Sequence, residues 1–325
     1  MKIAVVGGGA WGTALAQIAA KGGRETLLWA RESEVVEAIN ARHENSLFLP
    51  GVALDPAIRA TTDLPDITNC EAWLVVTPAQ HMRSVLEQAT ECDKAMVLCA
   101  KGIEERSGEL PHQVAAATCP AARIAVLSGP TFADEVARGL PTAVTLAAGD
   151  QQLAEQLRDR LAQPTFRVYL SDDVAGAEIG GAVKNVLAIA CGVVEGRGLG
   201  QNARAALIAR GFAEMTRFGL ACGARAETLT GLSGLGDLVL TCSSTSSRNY
   251  SLGKGIGEGR PTAELMADRR TVAEGAFTAP VLARLARERD IDMPIVDAVA
   301  RLLEGASVES VLEALLSRPQ RTEMA

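Results

Sequence analysis

Gly7-Gly8-Gly9-Ala10-Trp11-Gly12 follows directly on a short β-branched run, Ile3 to Val6, and leads into an apolar stretch with helical spacing, Thr13 to Lys21. Between a strand and a helix, a G-x-G-x-x-G pattern has a specific physical use. The first glycine permits a tight turn, the second lets backbone approach a pyrophosphate, and the third lets the helix pack closely on its strand. The helix N-terminus then faces the negative charge. A glycine-rich turn alone is no more than a turn. The strand before it and the helix after it make Gly7, Gly9 and Gly12 a candidate dinucleotide site.

The rest of the first half repeats this alternation. Thr26 to Trp29, Ile58 to Thr61, Trp73 to Val76, Ala95 to Cys99, Ile124 to Leu127, Ala143 to Ala147 and Phe166 to Leu170 read as strands, with helical patterns such as Met82 to Gln88 between them. That pattern predicts an α/β fold, an N-terminal Rossmann-like doubly wound sheet with ligands beyond the carboxyl ends of its strands. From Ala175 onward strand-like runs nearly vanish and period-3.6 stretches dominate. The 325 residues are more than one core usually serves, so two domains are expected: residues 1–175 for the dinucleotide and an all-α C-terminal domain, 176–325, for substrate and catalysis.

Composition removes several other classes. A net charge of −7 and 3% aromatic residues argue against nucleic acid as a partner, since phosphate binding asks for a basic face. The cysteines Cys70, Cys92, Cys99, Cys119, Cys191, Cys222 and Cys242 never fall in Cys-x-x-Cys spacing. No disulfide framework or zinc site is legible. His43, His81 and His112 are too dispersed for a ligand cluster, so no metal is expected. Met1 to Ala20 superficially resembles a signal peptide, but three consecutive glycines interrupt its apolar run, each costing about 1 kcal/mol in a helix. With no other apolar run of the ~20 residues that span a bilayer, a cytoplasmic protein without a membrane span is expected.

The identity of the dinucleotide turns on the end of the second strand, Leu28-Trp29-Ala30-Arg31-Glu32. Arg31 suits a ribose 2′-phosphate and so NADPH; Glu32 suits a ribose hydroxyl and so NADH. Both readings stand, with NADPH/NADP or NADH/NAD as cofactor, and so does a third in which both residues are solvated charges opening the next helix.

Gly176-Ala177-Glu178-Ile179-Gly180-Gly181-Ala182-Val183-Lys184-Asn185-Val186 reads as a helix despite three glycines. The lost propensity implies that something approaches its backbone closely. Lys184 by itself reads as a solvated helical lysine. Its surroundings change that reading. Together with Gly7 to Ala16, Ala100-Lys101-Gly102, Leu127-Ser128-Gly129-Pro130-Thr131-Phe132-Ala133, Gly234-Leu235-Gly236-Asp237-Leu238, Ser247-Arg248-Asn249 and Val272-Ala273-Glu274-Gly275, the chain resembles bacterial-type NAD(P)-dependent glycerol-3-phosphate dehydrogenase along nearly its whole length. Single motifs are shared with related hydroxyacid dehydrogenases, but Ser-Gly-Pro-Thr-Phe-Ala combined with the later Ser-Arg-Asn points to this family rather than its cousins.

The resemblance implies reduction of dihydroxyacetone phosphate, a phosphorylated triose, to sn-glycerol 3-phosphate, reversibly, feeding glycerophospholipid synthesis. It makes Lys184 and Asp237 catalytic, Lys184 donating a proton to the oxygen on which charge builds. Substrate contacts fall to Lys101, Gly129, Thr131, Lys184, Asp237, Ser247, Arg248 and Asn249. Cofactor contacts fall to Gly7, Gly9, Trp11, Gly12, Arg31, Lys101, Ala133, Arg248, Val272 and Glu274. Asn185 and Thr241 are expected near the centre as orienting groups. Without the resemblance, Ser-Arg-Asn would be ordinary turn composition. Two rivals remain: a β-hydroxyacid dehydrogenase acting on a carboxylate, and a non-catalytic NAD(P)H sensor on the same fold. Apolar helices between Pro261 and Leu316 suit either a homodimer interface or internal core; a homodimer is expected.

Overall fold

The computed structural model describes residues 1–21, 23–89, 93–267 and 273–319. Its strands are β1 (Ile3–Val6), β2 (Thr26–Trp29), β3 (Ile58–Thr61), β4 (Ala72–Val75), β5 (Ala95–Leu98), β6 (Arg123–Ser128), β7 (Thr142–Ala148) and β8 (Phe166–Ser171). They form one sheet in the order β3-β2-β1-β4-β5-β6-β7-β8. All neighbours pair in parallel except β6 and β7. The order reverses at β1, so the crevice beyond β1 and β4 is the topological switch point where doubly wound sheets take ligands. The intervening helices are α1 (Ala10–Ala20), α2 (Ser33–Arg42), α3 (Ala79–Leu86), α4 (Pro111–Thr118), α5 (Ala133–Ala137) and α6 (Gln151–Leu161).

Side chains alternate strictly between the two faces. Ile3, Val5, Leu28, Leu74 and Val97 belong to one core; Ala4, Val6, Trp73, Val75, Met96 and Leu98 belong to the other. A sheet buried on both faces reads as a continuous apolar run rather than an alternating one, which is why these strands stand out in the sequence. Two helices begin earlier than their apolar spacing suggests. α1 starts at Ala10 with Gly9 as its N-cap, and α3 starts directly after Pro78, whose fixed φ suits a helix entry.

Two compact units are defined by their contacts, Met1–Gly181 with Gly219–Asp237, and Ala182–Phe218 with Leu238–Ala325. The division falls inside α7 (Val174–Gly196), whereas the expected boundary at 175/176 lies near its start. α7 is long and apolar enough to cross a membrane, yet 94% of its apolar window is buried inside the protein, as befits a core helix. The chain continues through α8 (Gly200–Ala221), α9 (Ala226–Thr230), a π-helical turn (Leu232–Gly236), α10 (Asp237–Thr241), α11 (Arg248–Gly257), α12 (Thr262–Leu265), α13 (Glu274–Glu288), α14 (Pro294–Leu303) and α15 (Val308–Leu316). Cys119 is disulfide-bonded, a pairing that the scattered cysteine spacing does not disclose. Cys70, Cys99 and Cys191 are free thiols.

In the second unit, α7 and α11 meet backbone to backbone. A Cβ on Gly192 would lie 2.1 Å from the Tyr250 carbonyl oxygen, and one on Gly253 would lie 1.9 Å from that of Ile189. Elsewhere in this unit a buried carboxylate replaces a cap. Glu214 of α8 accepts hydrogen bonds from Ile295 N (2.8 Å) and Val296 N (3.1 Å) at the start of α14. Burial nevertheless pushes its carboxyl up to about 7, against those two donors. The folded state therefore holds a proton that the unfolded chain releases near 4.5. This contribution to stability is fully present below that value and is lost as pH rises towards 7. At about 1.4 kcal/mol per pH unit, the loss is at most about 3.5 kcal/mol. Melting followed by circular dichroism should show stability falling between pH 5 and 8, and Glu214→Gln should flatten that slope; an unchanged slope in the variant would exclude Glu214 as its source.

Candidate active site

The three glycines of the first turn have separate geometric reasons. Gly7 has φ +132° and sits against the exit of β4, where its Cβ would be 3.1 Å from the Val76 carbonyl carbon. A Cβ on Gly12 would fall 1.9 Å from the Gly7 carbonyl oxygen, so the helix could not close on its strand. Gly9 is different: its φ of −69° and ψ of 178° suit any residue, and its Cβ would meet nothing within 4 Å. The protein's own packing does not require a glycine there, whereas a ligand lying against the backbone would. No side chain caps α1, and no acidic residue stands in its first turn, which suits a helix end that receives an anion.

Asn45, which the sequence does not single out, holds this turn. Its fully buried amide donates from Nδ2 to Gly8 O and to Thr13 Oγ1, both at 2.8 Å. Nothing local signals it, because the contact is made by a chain segment more than thirty residues away. Around the turn, Trp11 packs against the sheet's core, and its indole Nε1 has no hydrogen-bond partner among the described residues. Ala133 opens α5. Arg31, 79% exposed, forms a 2.9 Å ion pair with Glu32 just beyond β2.

At the carboxyl ends of β5 and β6 the first unit builds a charged cluster. Lys101 Nζ donates to Asp237 Oδ2 at 2.7 Å and to the Gly129 carbonyl at 2.9 Å. Asp237 is fully buried and follows the π-helical turn formed by Leu232 to Gly236. Gly129 takes φ +152°, with Val144 Cα only 3.0 Å from where a Cβ would stand. Thr131 Oγ1 lies 3.3 Å from the Gly129 carbonyl. The glycines of α7 satisfy the expectation of a close approach: a Cβ on Gly180 would sit 2.4 Å from Ser233 O, and one on Gly181 would sit 3.1 Å from Ser128 Oγ and 3.3 Å from Lys101 Cγ.

The second unit carries its own polar group. Buried Lys184 donates to Thr241 Oγ1 at 2.9 Å. Asn249 Nδ2 donates to Asn185 Oδ1 at 2.9 Å, while Asn249 Oδ1 accepts from Gly275 N at 2.9 Å. Ser247 caps α11, its hydroxyl oxygen accepting from Tyr250 N. Arg248 is exposed in the first turn of α11, and Glu274 opens α13. Val272 lies outside the described residues.

The two glycines with opposite environments give a paired prediction. Gly9→Val should keep the melting temperature within about 2 °C, as surface changes do, yet weaken binding of a reduced nicotinamide dinucleotide by about tenfold or more, read by nucleotide fluorescence. Gly12→Ala should lower stability by at least about 1–3 kcal/mol through overpacking. A Gly9→Val protein that binds normally would place the dinucleotide elsewhere.

Comparison with known proteins places the whole chain in one family. Residues 2–154 match the family model described as NAD-dependent glycerol-3-phosphate dehydrogenase N-terminus, and residues 173–313 match the corresponding C-terminus. A glycerol-3-phosphate dehydrogenase (NAD(P)+) of Erythrobacter litoralis is 64% identical over 99% of this chain and 98% of its own length. One from Novosphingobium aromaticivorans is 65% identical over the same shares. The crystal structure of glycerol-3-phosphate dehydrogenase from Coxiella burnetii superposes with a TM-score of 0.93 at 38% identity, covering 98% of this chain and 99% of that one. The chain therefore belongs to the NAD-dependent glycerol-3-phosphate dehydrogenase family.

Proposed function

We propose that this chain reduces dihydroxyacetone phosphate to sn-glycerol 3-phosphate with NADPH or NADH, reversibly, and that Lys184, Asp237 and Lys101 carry the chemistry. The observation that supports this most strongly is the Lys101 ammonium, held between fully buried Asp237 and the Gly129 carbonyl. It lies at the end of the sheet where such folds place their ligands. Lys184 follows three residues after Gly181, the glycine that closes on Lys101 and Ser128.

The glycine turn fits the pyrophosphate of a nicotinamide dinucleotide, with Gly7, Gly9, Trp11, Gly12, Arg31, Lys101, Ala133, Arg248, Val272 and Glu274 as the residues that hold it. When bound, the dinucleotide supplies a hydride to the C2 carbonyl carbon. Lys184 donates the proton that the carbonyl oxygen requires, so a ketone becomes an alcohol and the lysine is left neutral until water restores its proton. Thr241, accepting from Lys184 Nζ, fixes the direction of the ammonium. Lys101 adds positive charge where the oxygen becomes negative, and Asp237 keeps Lys101 in place. The substrate phosphate is taken by Arg248, the Ser247 hydroxyl and the second amide N–H of Asn249, at the start of α11, where a helix end favours an anion. Gly129 and Thr131 border the same substrate. The exposed Arg31–Glu32 pair is weak, so Arg31 can exchange its partner for a 2′-phosphate. We place the enzyme in the cytoplasm as a homodimer that supplies glycerophospholipid synthesis.

The test follows nucleotide absorbance with dihydroxyacetone phosphate, unphosphorylated dihydroxyacetone and a 3-oxo acid, running NADPH and NADH in parallel. Turnover is expected with the phosphorylated ketone alone; turnover of the oxo acid instead would overturn the assignment. Lys184→Ala should lower kcat by about 10²–10⁴-fold, the usual worth of a positioned proton donor, with nucleotide binding retained. Arg31→Ala should raise the KM for NADPH and leave that for NADH nearly unchanged; equal effects on both would remove Arg31 from cofactor selection.

A further inference from the structure

We propose that Asn45 is a positioning residue for the cofactor: its buried amide sets which way the peptide groups of the glycine turn face. The inference rests on the reading of that turn as the dinucleotide site.

Asn45 is fully buried, and its side chain is committed at both ends. Nδ2 donates to Gly8 O and to Thr13 Oγ1 at 2.8 Å each, and Oδ1 accepts from Phe48 N at 3.1 Å. The Thr13 hydroxyl in turn donates to Gly9 O at 2.9 Å, an oxygen that also accepts from Thr13 N at 2.9 Å. Two successive carbonyls of the turn, Gly8 and Gly9, are thus held towards the protein by a donor chain that starts at Asn45.

A trans peptide is planar, with its C=O and the following N–H pointing in opposite directions. Fixing the Gly8 carbonyl inward therefore fixes the Gly9 N–H outward, and fixing the Gly9 carbonyl does the same for the Ala10 N–H. Successive outward N–H groups at a helix start make an anion-binding concavity. Loss of the Asn45 donor would leave Gly8 O as a buried acceptor without this partner, a state that favours rotation of the peptide. The rotation would aim a carbonyl oxygen at the pyrophosphate and turn the Gly9 N–H away. Space does not permit the turn to slide instead, because a Cβ on Gly8 would already lie 2.4 Å from that of Ala30.

The decisive variant is Asn45→Asp, which keeps the shape and the acceptor for Phe48 N but presents an acceptor to Gly8 O. Calorimetry with NADPH should show about a tenfold weaker Kd, equivalent to about 1.4 kcal/mol, with kcat at saturating NADPH and the KM for dihydroxyacetone phosphate within about twofold of the parent. Thr13→Val, nearly isosteric, removes the next donor in the chain and should weaken NADPH in the same selective way even if Asn45→Asp fails to fold. A merely structural tie would instead lower the melting temperature and spare the Kd of the folded protein, which would overturn the proposal. Gly9→Val serves as the reference. Normal Kd in Asn45→Asp and Thr13→Val with a weakened Gly9→Val overturns the role of Asn45 alone, whereas normal Kd in all three overturns the reading of the turn itself.

Discussion

Backbone contact without intervening side chains is the constraint on which both units depend. In the first unit, α1 closes on its strand only because no Cβ stands between Gly12 and the Gly7 carbonyl, and the start of α7 closes on the Ser233 backbone at Gly180. In the second, α7 and α11 touch through Gly192 and Gly253. Each glycine inside a helix costs about 1 kcal/mol of propensity, so α7 would be a poor helix in isolation. Its stability comes from tertiary burial, and its glycines are spent at positions where a methyl group would separate the elements they join.

The polar groups fall into two energetic kinds. The Lys101–Asp237 pair is largely removed from water, with a carbonyl as its second acceptor, and losing one partner of such a pair costs far more than the pair itself contributes. Pairs of this kind hold a charge in one place. The Arg31–Glu32 pair lies in solvent, where its attraction is screened and its partners exchange readily. Fixed charge suits groups that act on a reacting atom; exchangeable charge suits the recognition of an optional phosphate. Asn249 is intermediate: two of its hydrogen bonds order the second unit internally.

Strand positions were legible to within a residue or two because a sheet covered on both faces leaves uninterrupted apolar runs, such as Ala95 to Leu98. Strand direction was not legible. Nothing in Thr142 to Ala148 shows that β7 runs antiparallel to β6 and parallel to β8, since direction is set by the connection and not by the strand. Helix starts were missed where glycine or proline forms the cap, at Gly9 and Pro78, because those residues read as breakers. Candidate site residues that lie in a motif, as do Lys184, Asp237 and Ser247-Arg248-Asn249, can be named from the sequence through its resemblance to a family. A lone residue returning from elsewhere cannot: Asn45 looks like any loop asparagine until the fold sets it beside Gly8, and the bonded state of Cys119 has no sequence cue.

The place of β1 in the sheet governs how the chain can assemble as it is synthesised. β1 precedes β2 and β4 in the chain, yet it lies between them, and Ile3 pairs with both Thr26 and Ala72. One flank is available after about twenty residues, while the other awaits the whole of β2, α2 and β3. The nascent segment must therefore hold a strand with one bare edge, immediately followed by the glycine turn, until Val75 has left the ribosome. Non-local closure of this kind is slow and leaves strand edges open to wrong pairing. The glycine turn thus precedes its support in the chain, and it reaches its final form only when β4 arrives to support Gly7.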